Sequence, residues 1–177
     1  MDLYLLIGIA PYFCFLVIIF SGLLFREHPK IDKNDVSFVS VVIAARNEEN
    51  NIPYLLKDLT NQSADKNNYE VIIANDRSTD KTKIIIDEFS SENSFIKSIH
   101  IEEKHNMTPK KYALTKAIEN SRGEIILTTD ADCRVPRNWV SNMAQLVQNN
   151  DGIVIGYSKI DCMKSFLNEF QKIDFLG

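Results

Sequence analysis

Cysteine is scarce in this chain and shows no pattern. The three cysteines, Cys14, Cys133 and Cys162, are widely spaced and odd in number. There is no CxxC element, so neither a structural zinc site nor a disulfide framework is indicated. His28, His100 and His105 have no metal-ligand spacing. Lys and Arg form no block and the formal net charge is -4, which argues against a nucleic-acid partner. Six glycines and five prolines leave no room for a low-complexity tract. Neither G-x-G-x-x-G nor G-x-x-x-x-G-K-[ST] occurs, which disfavours dinucleotide oxidoreductases and P-loop enzymes.

What is present begins with a long run without charge, from Leu3 to Phe25, rich in Leu, Ile and Phe. It is long enough to cross a hydrocarbon core about 30 Å thick. A cleaved signal peptide fits poorly, because Asp2 stands where a basic residue is expected and no small-x-small cleavage site follows. A buried core helix is ruled against by the length. Pro11 is tolerable as a kink in such a span. Arg26, Lys30 and Lys33 follow it, mixed with Glu27, Asp32 and Asp35, which places the C-terminal side in the cytoplasm. The expected organisation is a transmembrane anchor over 1–28, a linker over 29–36 and a cytosolic domain over 37–177. The setting is the cell (inner) membrane, with one N-terminal span.

Beyond the linker, β-prone and helical segments alternate. Strands are predicted over Phe38–Ala45, Tyr69–Ala74, Phe95–Ile101, Glu124–Thr129 and Ile153–Ser158. Helices are predicted over Asn51–Asn61, Thr79–Phe89, Thr108–Asn120, Arg137–Gln148 and Ser165–Leu176. Ser78 is read as a helix N-cap with Asp80 in the first turn, and Thr108 as a second N-cap ahead of Pro109. This alternation predicts an α/β fold with a mainly parallel sheet flanked by helices. Ligands of such sheets bind beyond the carboxyl ends of the strands.

The polar clusters fall at those ends. The first strand runs into Ala45-Arg46-Asn47-Glu48-Glu49-Asn50, the second into Asn75-Asp76-Arg77-Ser78-Thr79-Asp80, and the fourth into Asp130-Ala131-Asp132. Each cluster alone also reads as ordinary turn and cap residues. Three on one edge are harder to dismiss. Lys110 and Lys111, in the first turn of a helix, oppose its dipole; a solvated surface pair is the plain reading, and a contact to an anionic ligand the functional one. Asp130 and Asp132 suit a hard divalent cation, Mg²⁺ or Mn²⁺, that completes its shell with phosphate oxygens and water. A lysine and a metal facing each other would bracket a diphosphate.

These segments resemble family 2 glycosyltransferases of the GT-A fold. Val39-Ser40-Val41-Val42-Ile43-Ala44-Ala45-Arg46-Asn47-Glu48 carries the likeness, with Asn75-Asp76-Arg77-Ser78-Thr79-Asp80-Lys81-Thr82, Lys110-Lys111-Tyr112-Ala113-Leu114 and Thr129-Asp130-Ala131-Asp132. The resemblance covers Ser37 to Tyr157 and is nearest to membrane-anchored bacterial members that build polysaccharides or glycolipids. It implies that Ala45, Arg46 and Glu48 surround the nucleoside and that Asp76 accepts a hydrogen bond from the base. It implies that Lys110 approaches the diphosphate, with Lys111 as its rival. Asp130 would lie near the ribose or metal, and Asp132 would bind the metal directly. The implied reaction moves a sugar, with inversion, from a nucleotide-diphosphate sugar (UDP the commonest carrier) to a saccharide or lipid-linked acceptor at the membrane.

Two departures stand out. Asn75 replaces the first acid of the family's usual Asp-Asp pair. No Glu-Asp pair follows Asp132; the tail offers Asp161, Glu169 and Asp174, each read as a surface or helix-end residue. The general base is therefore expected beyond Gly177, as in a chain cut after its donor-binding half. Competing readings are a membrane-tethered binding or scaffold fragment without turnover, and another metal-dependent nucleotidyl enzyme.

Overall fold

A computed structural model describes residues 3–24, 37–103, 106–148 and 152–156. The chain divides into two compact units, Met1–Ile31 and Asp32–Gly177. The first holds helix α1, Leu3–Leu24, of 22 residues, with Pro11 inside and no acidic residue in its first turn or basic residue in its last. Large apolar side chains on it are exposed, including Phe13, Phe15, Ile18 and Phe20. Among the described residues, whose side chains in α1 run from 11 to 21, no helix is long and apolar enough to cross a membrane.

The second unit is a three-layer α/β domain. Strands β1 (Val39–Ala45), β2 (Tyr69–Asp76), β3 (Ile96–Ile101) and β4 (Ile125–Thr128) form one sheet in the order β3-β2-β1-β4. All three pairings are parallel. Helices α2 (Ile52–Thr60), α3 (Thr82–Glu92) and α4 (Pro109–Glu119) make the crossovers, and α5 (Trp139–Gln148) follows β4. Alternation along the strands sorts the core into two faces. Val41, Ile43, Val71 and Ile73 meet Leu55, Leu56, Ile86 and Val140 on one side. Val42, Ile72 and Ala74 meet Ala113 and Ala117 of α4 on the other. The two alanines, four residues apart, present a flat stripe that lets α4 pack closely over β1 and β2. That brings the first turn of α4 over the carboxyl ends of those strands.

The opposite edge of the sheet is tied by a buried carboxylate. Glu70, in β2, accepts from Ser40 Oγ at 2.8 Å, Lys97 Nζ at 2.6 Å and the Arg122 backbone N–H at 2.8 Å. Burial pushes this carboxyl up; the bonds from Lys97, Arg122 and Ser40, with the Lys97 charge, outweigh it and hold the group at about 2. Gly123 N–H donates to Ser40 Oγ at 2.8 Å. A Cβ at Gly123 would lie 2.4 Å from the Ser40 backbone nitrogen, so glycine is required there by close approach.

Several predicted bounds are corrected. β2 continues through Asp76, because Asn75 and Asp76 pair with His100 and Ile101 of β3. α3 starts at Thr82, with Lys81 rather than Ser78 at the N-cap position. β4 is shorter than the strand predicted over Glu124–Thr129, and it alternates between buried and exposed residues, as befits an edge strand. Residues 152–156 carry no strand among the described residues, so the fifth strand expected from Ile153 is not formed there. The rest of that segment, the helix expected over Ser165–Leu176, Asp161, Glu169 and Asp174 lie outside the described residues, as does the linker over 29–36.

Candidate active site

Two βα loops leave the sheet side by side, because β1 and β2 are neighbours with Ala45 opposite Asn75. Asn47 and Arg77 both adopt left-handed backbone conformations, φ 55° and 51°, which turn each loop sharply at the strand end. The loops are then sewn together. Asn47 N–H donates to Ser78 Oγ at 3.0 Å, and Thr79 N–H to Asn47 Oδ1 at 2.8 Å. Glu48 N–H donates to Thr82 Oγ1 at 2.8 Å and Glu49 N–H to Asp80 Oδ2 at 3.1 Å. Lys81 N–H returns a bond to Glu49 Oε2 at 2.9 Å. Asp80 also accepts from the Thr82 N–H at 3.0 Å. Burial pushes the Asp80 carboxyl up, but the bonds from Thr82 and Glu49 more than offset this and hold it below the usual range. These bonds explain the late start of α3: residues 79–81 serve the neighbouring loop before the helix begins.

Asn75 and Asp76 end β2 fully buried. Asn75 Oδ1 accepts from Ser78 Oγ. Its Nδ2 lies 3.4 Å from His100 Nδ1, while His100 Nε2 lies 2.8 Å from Asp87 Oδ1. This suits a His100 tautomer protonated at Nε2. A carboxylate at position 75 could not donate to His100, so the amide fits its surroundings. Both oxygens of Asp76 meet Arg77, Nε at 2.7 Å and Nη2 at 3.1 Å. That bond raises the Arg77 pKa.

A cleft of about 490 Å³ opens at this edge, lined by Ala44, Ala45, Arg46, Glu48, Asp76, Thr108, Pro109, Lys110, Ala113, Asp130, Ala131 and Asp132. The structure thus brings together seven of the residues singled out in the sequence: Ala45, Arg46, Glu48, Asp76, Lys110, Asp130 and Asp132. Lys111 is exposed and does not line the cleft. Lys110 Nζ lies 2.7 Å from Asp130 Oδ1, with both side chains more than half exposed. Among the described residues no group of three or more His, Cys, Asp or Glu side chains could hold a metal. Asp130 and Asp132 both line the cleft, a carboxylate pair that would suit Mg²⁺ or Mn²⁺ with oxygens of water and of a ligand completing the shell.

Sequence reasoning missed the seam between the loops. Asn47, Glu49, Ser78, Thr79 and Asp80 fall in clusters that also read as turn and cap residues, and Thr82 in the predicted helix. The available signal was their complementarity: two adjacent strand ends, each carrying both hydroxyls or amides and acids.

Residues 40–173 match the Glycosyl transferase family 2 domain, and the chain belongs to that family. It is 32% identical over 154 residues to the probable glycosyltransferase YdaM of Bacillus subtilis (strain 168), covering 84% of this chain and 37% of that protein. It is 34% identical over 123 residues to a beta-monoglucosyldiacylglycerol synthase of Nostoc sp. (strain PCC 7120 / SAG 25.82 / UTEX 2576), covering 70% of this chain and 26% of that protein. The chain therefore spans well under half the length of these curated relatives. Among solved structures, S. aureus TarS 1-349 in complex with UDP aligns with a TM-score of 0.56 and 26% identity, covering 63% of this chain and 32% of that one. The architecture is GT-A-like.

Proposed function

We propose that the domain binds a nucleotide-diphosphate sugar, a UDP-sugar, together with Mg²⁺ or Mn²⁺, and that the whole protein transfers the sugar to a saccharide or lipid acceptor. The observation that carries this reading is the convergence of Asp76, Asp130, Asp132 and Lys110 on one cleft at the carboxyl edge of a parallel sheet. The buried Asp76 carboxylate offers an acceptor to an N–H of the base. Arg46 and Glu48 flank the nucleoside, and the small Ala44 and Ala45 let it approach the backbone. Lys110 turns from Asp130 to the diphosphate. The cation, when bound, offsets charge on the departing nucleoside diphosphate. An acceptor hydroxyl attacks the anomeric carbon, the sugar–phosphate bond breaks, and configuration inverts. The general base is assigned to none of the described residues. UDP is favoured because the TarS structure holds it; a lipid acceptor, because one relative is named as a glycolipid synthase.

Membrane attachment with a cytoplasmic domain belongs to the same proposal. It is supported by the uncharged, apolar run from Leu3 to Phe25 in the sequence and by Arg26, Lys30 and Lys33 beyond it.

The test is calorimetric titration of UDP into the detergent-solubilised chain, with and without Mn²⁺, with GDP and dTDP in parallel. Saturable UDP binding that requires the cation and is abolished by Asp132→Ala is the expected result. UDP affinity indifferent to both the cation and Asp132→Ala would refute the assignment.

A further inference from the structure

We propose that Asn47, which does not line the cleft, is a positioning residue for nucleotide binding, acting through the two neighbours that do. The inference rests on the nucleotide reading above. Asn47 sits between Arg46 and Glu48, both in the cleft wall. Two properties fix it there. Its backbone is left-handed at φ 55°, a conformation that Asn, Asp and Gly adopt with little penalty and Ala does not. Its Oδ1 accepts twice from one residue of the neighbouring loop, from Thr79 N–H at 2.8 Å and from Thr79 Oγ1 at 3.3 Å. Its own N–H goes to Ser78 Oγ, and Ser78 in turn bonds Asn75, the residue before Asp76. A continuous path of hydrogen bonds thus sets Arg46 and Glu48 against the Asp76 carboxylate. Asn47 is exposed, so no core is lost when it is replaced.

The two properties separate by substitution. Asn47→Gly keeps the left-handed turn and removes the acceptor. Asn47→Asp keeps both. Asn47→Ala removes both. The full chain is titrated with UDP and Mn²⁺, and amide hydrogen exchange is followed at Thr79 and across β1 and β2. Asn47→Gly should bind UDP about tenfold more weakly, the loss of one or two hydrogen bonds of orientation. Its Thr79 amide should exchange faster while the sheet amides stay protected. Asn47→Asp should restore both readouts, and Asn47→Ala should be weakest of the three. If Asn47→Ala does not fold, the Gly and Asp variants decide alone. Wild-type affinity in Asn47→Gly with its Thr79 amide released would overturn the positioning role and leave the nucleotide reading intact. A wild-type chain that binds neither UDP, GDP nor dTDP would remove both.

Discussion

Lys110 and Asp130 form an ion pair of the weakest kind, since both ends are largely in water. Exposed pairs contribute roughly 0–1 kcal/mol. The weakness makes the pair exchangeable: a cation can displace the ammonium, and a phosphate can draw it away. Lys110→Gln should therefore tighten Mn²⁺ binding measured without nucleotide, because Asp130 is released. The same change should weaken UDP by about tenfold, the order of one charge-assisted hydrogen bond. Calorimetry of Mn²⁺ alone, and of UDP in saturating Mn²⁺, checks both directions. Asp76, Asp130 and Asp132 were legible as residues of one sheet edge because three polar clusters fall at strand carboxyl ends, although each cluster alone reads as turn and cap residues. The choice between Lys110 and Lys111 was not. Adjacent helical residues point about 100° apart, so the choice depends on which face of α4 packs. Ala113 and Ala117 mark that face, but only the packing shows that they lie against the sheet.

At the scale of elements, the boundary of α3 shows where local reading fails. Ser78 has the chemistry of an N-cap, and tertiary demand overrode it: its hydroxyl serves Asn75 and Asn47. Thr82 instead joins loop to helix, donating to Asp80 Oδ1 at 2.6 Å and accepting from Glu48 N–H at 2.8 Å. Thr82 is fully buried. Thr82→Val keeps its shape and strands the Glu48 N–H and an Asp80 lone pair, so a loss of about 1–3 kcal/mol is expected in chemical denaturation. Gly123→Ala tests the approach of β4 to β1. The new Cβ would meet the backbone at Ser40 N and Val39 C, neither of which can swing aside. A loss of about 2–4 kcal/mol, read as a lower thermal midpoint, is expected. The parallel sheet itself was legible from the βα alternation. The lack of a strand over the described residues 152–156 was not, because Ile153 and Ile155 have strand-like spacing yet stay exposed, 94% and 90%.

For the molecule as a whole, acid stability is set in part at the edge away from the cleft. The Glu70 carboxyl is lowered from 4.5 to about 2 in the folded state. Its contribution is therefore complete above about pH 4.5, where the unfolded chain is also ionised, and is lost as pH falls through about 2. Allowing for solvent at the exposed ends of Lys97 and Arg122, this amounts to on the order of 2 kcal/mol. Glu70→Gln should lower stability by that amount at neutral pH, with the difference from wild type closing between about pH 4.5 and about pH 2. Urea melts across that range give the measurement.

The seam between the loops carries a consequence for what the cleft admits. The amides of Asn47, Glu48, Glu49, Thr79 and Lys81 are already engaged with side chains of the opposite loop. Many phosphate sites greet an anion with a ring of idle amides; in these two loops the amides serve the seam instead, and the charged side chains lining the cleft are Arg46, Glu48, Asp76, Lys110, Asp130 and Asp132. On the nucleotide reading proposed above, selection then falls to the side chains of the cleft: Lys110 and a cation for the diphosphate, Asp76 for the base.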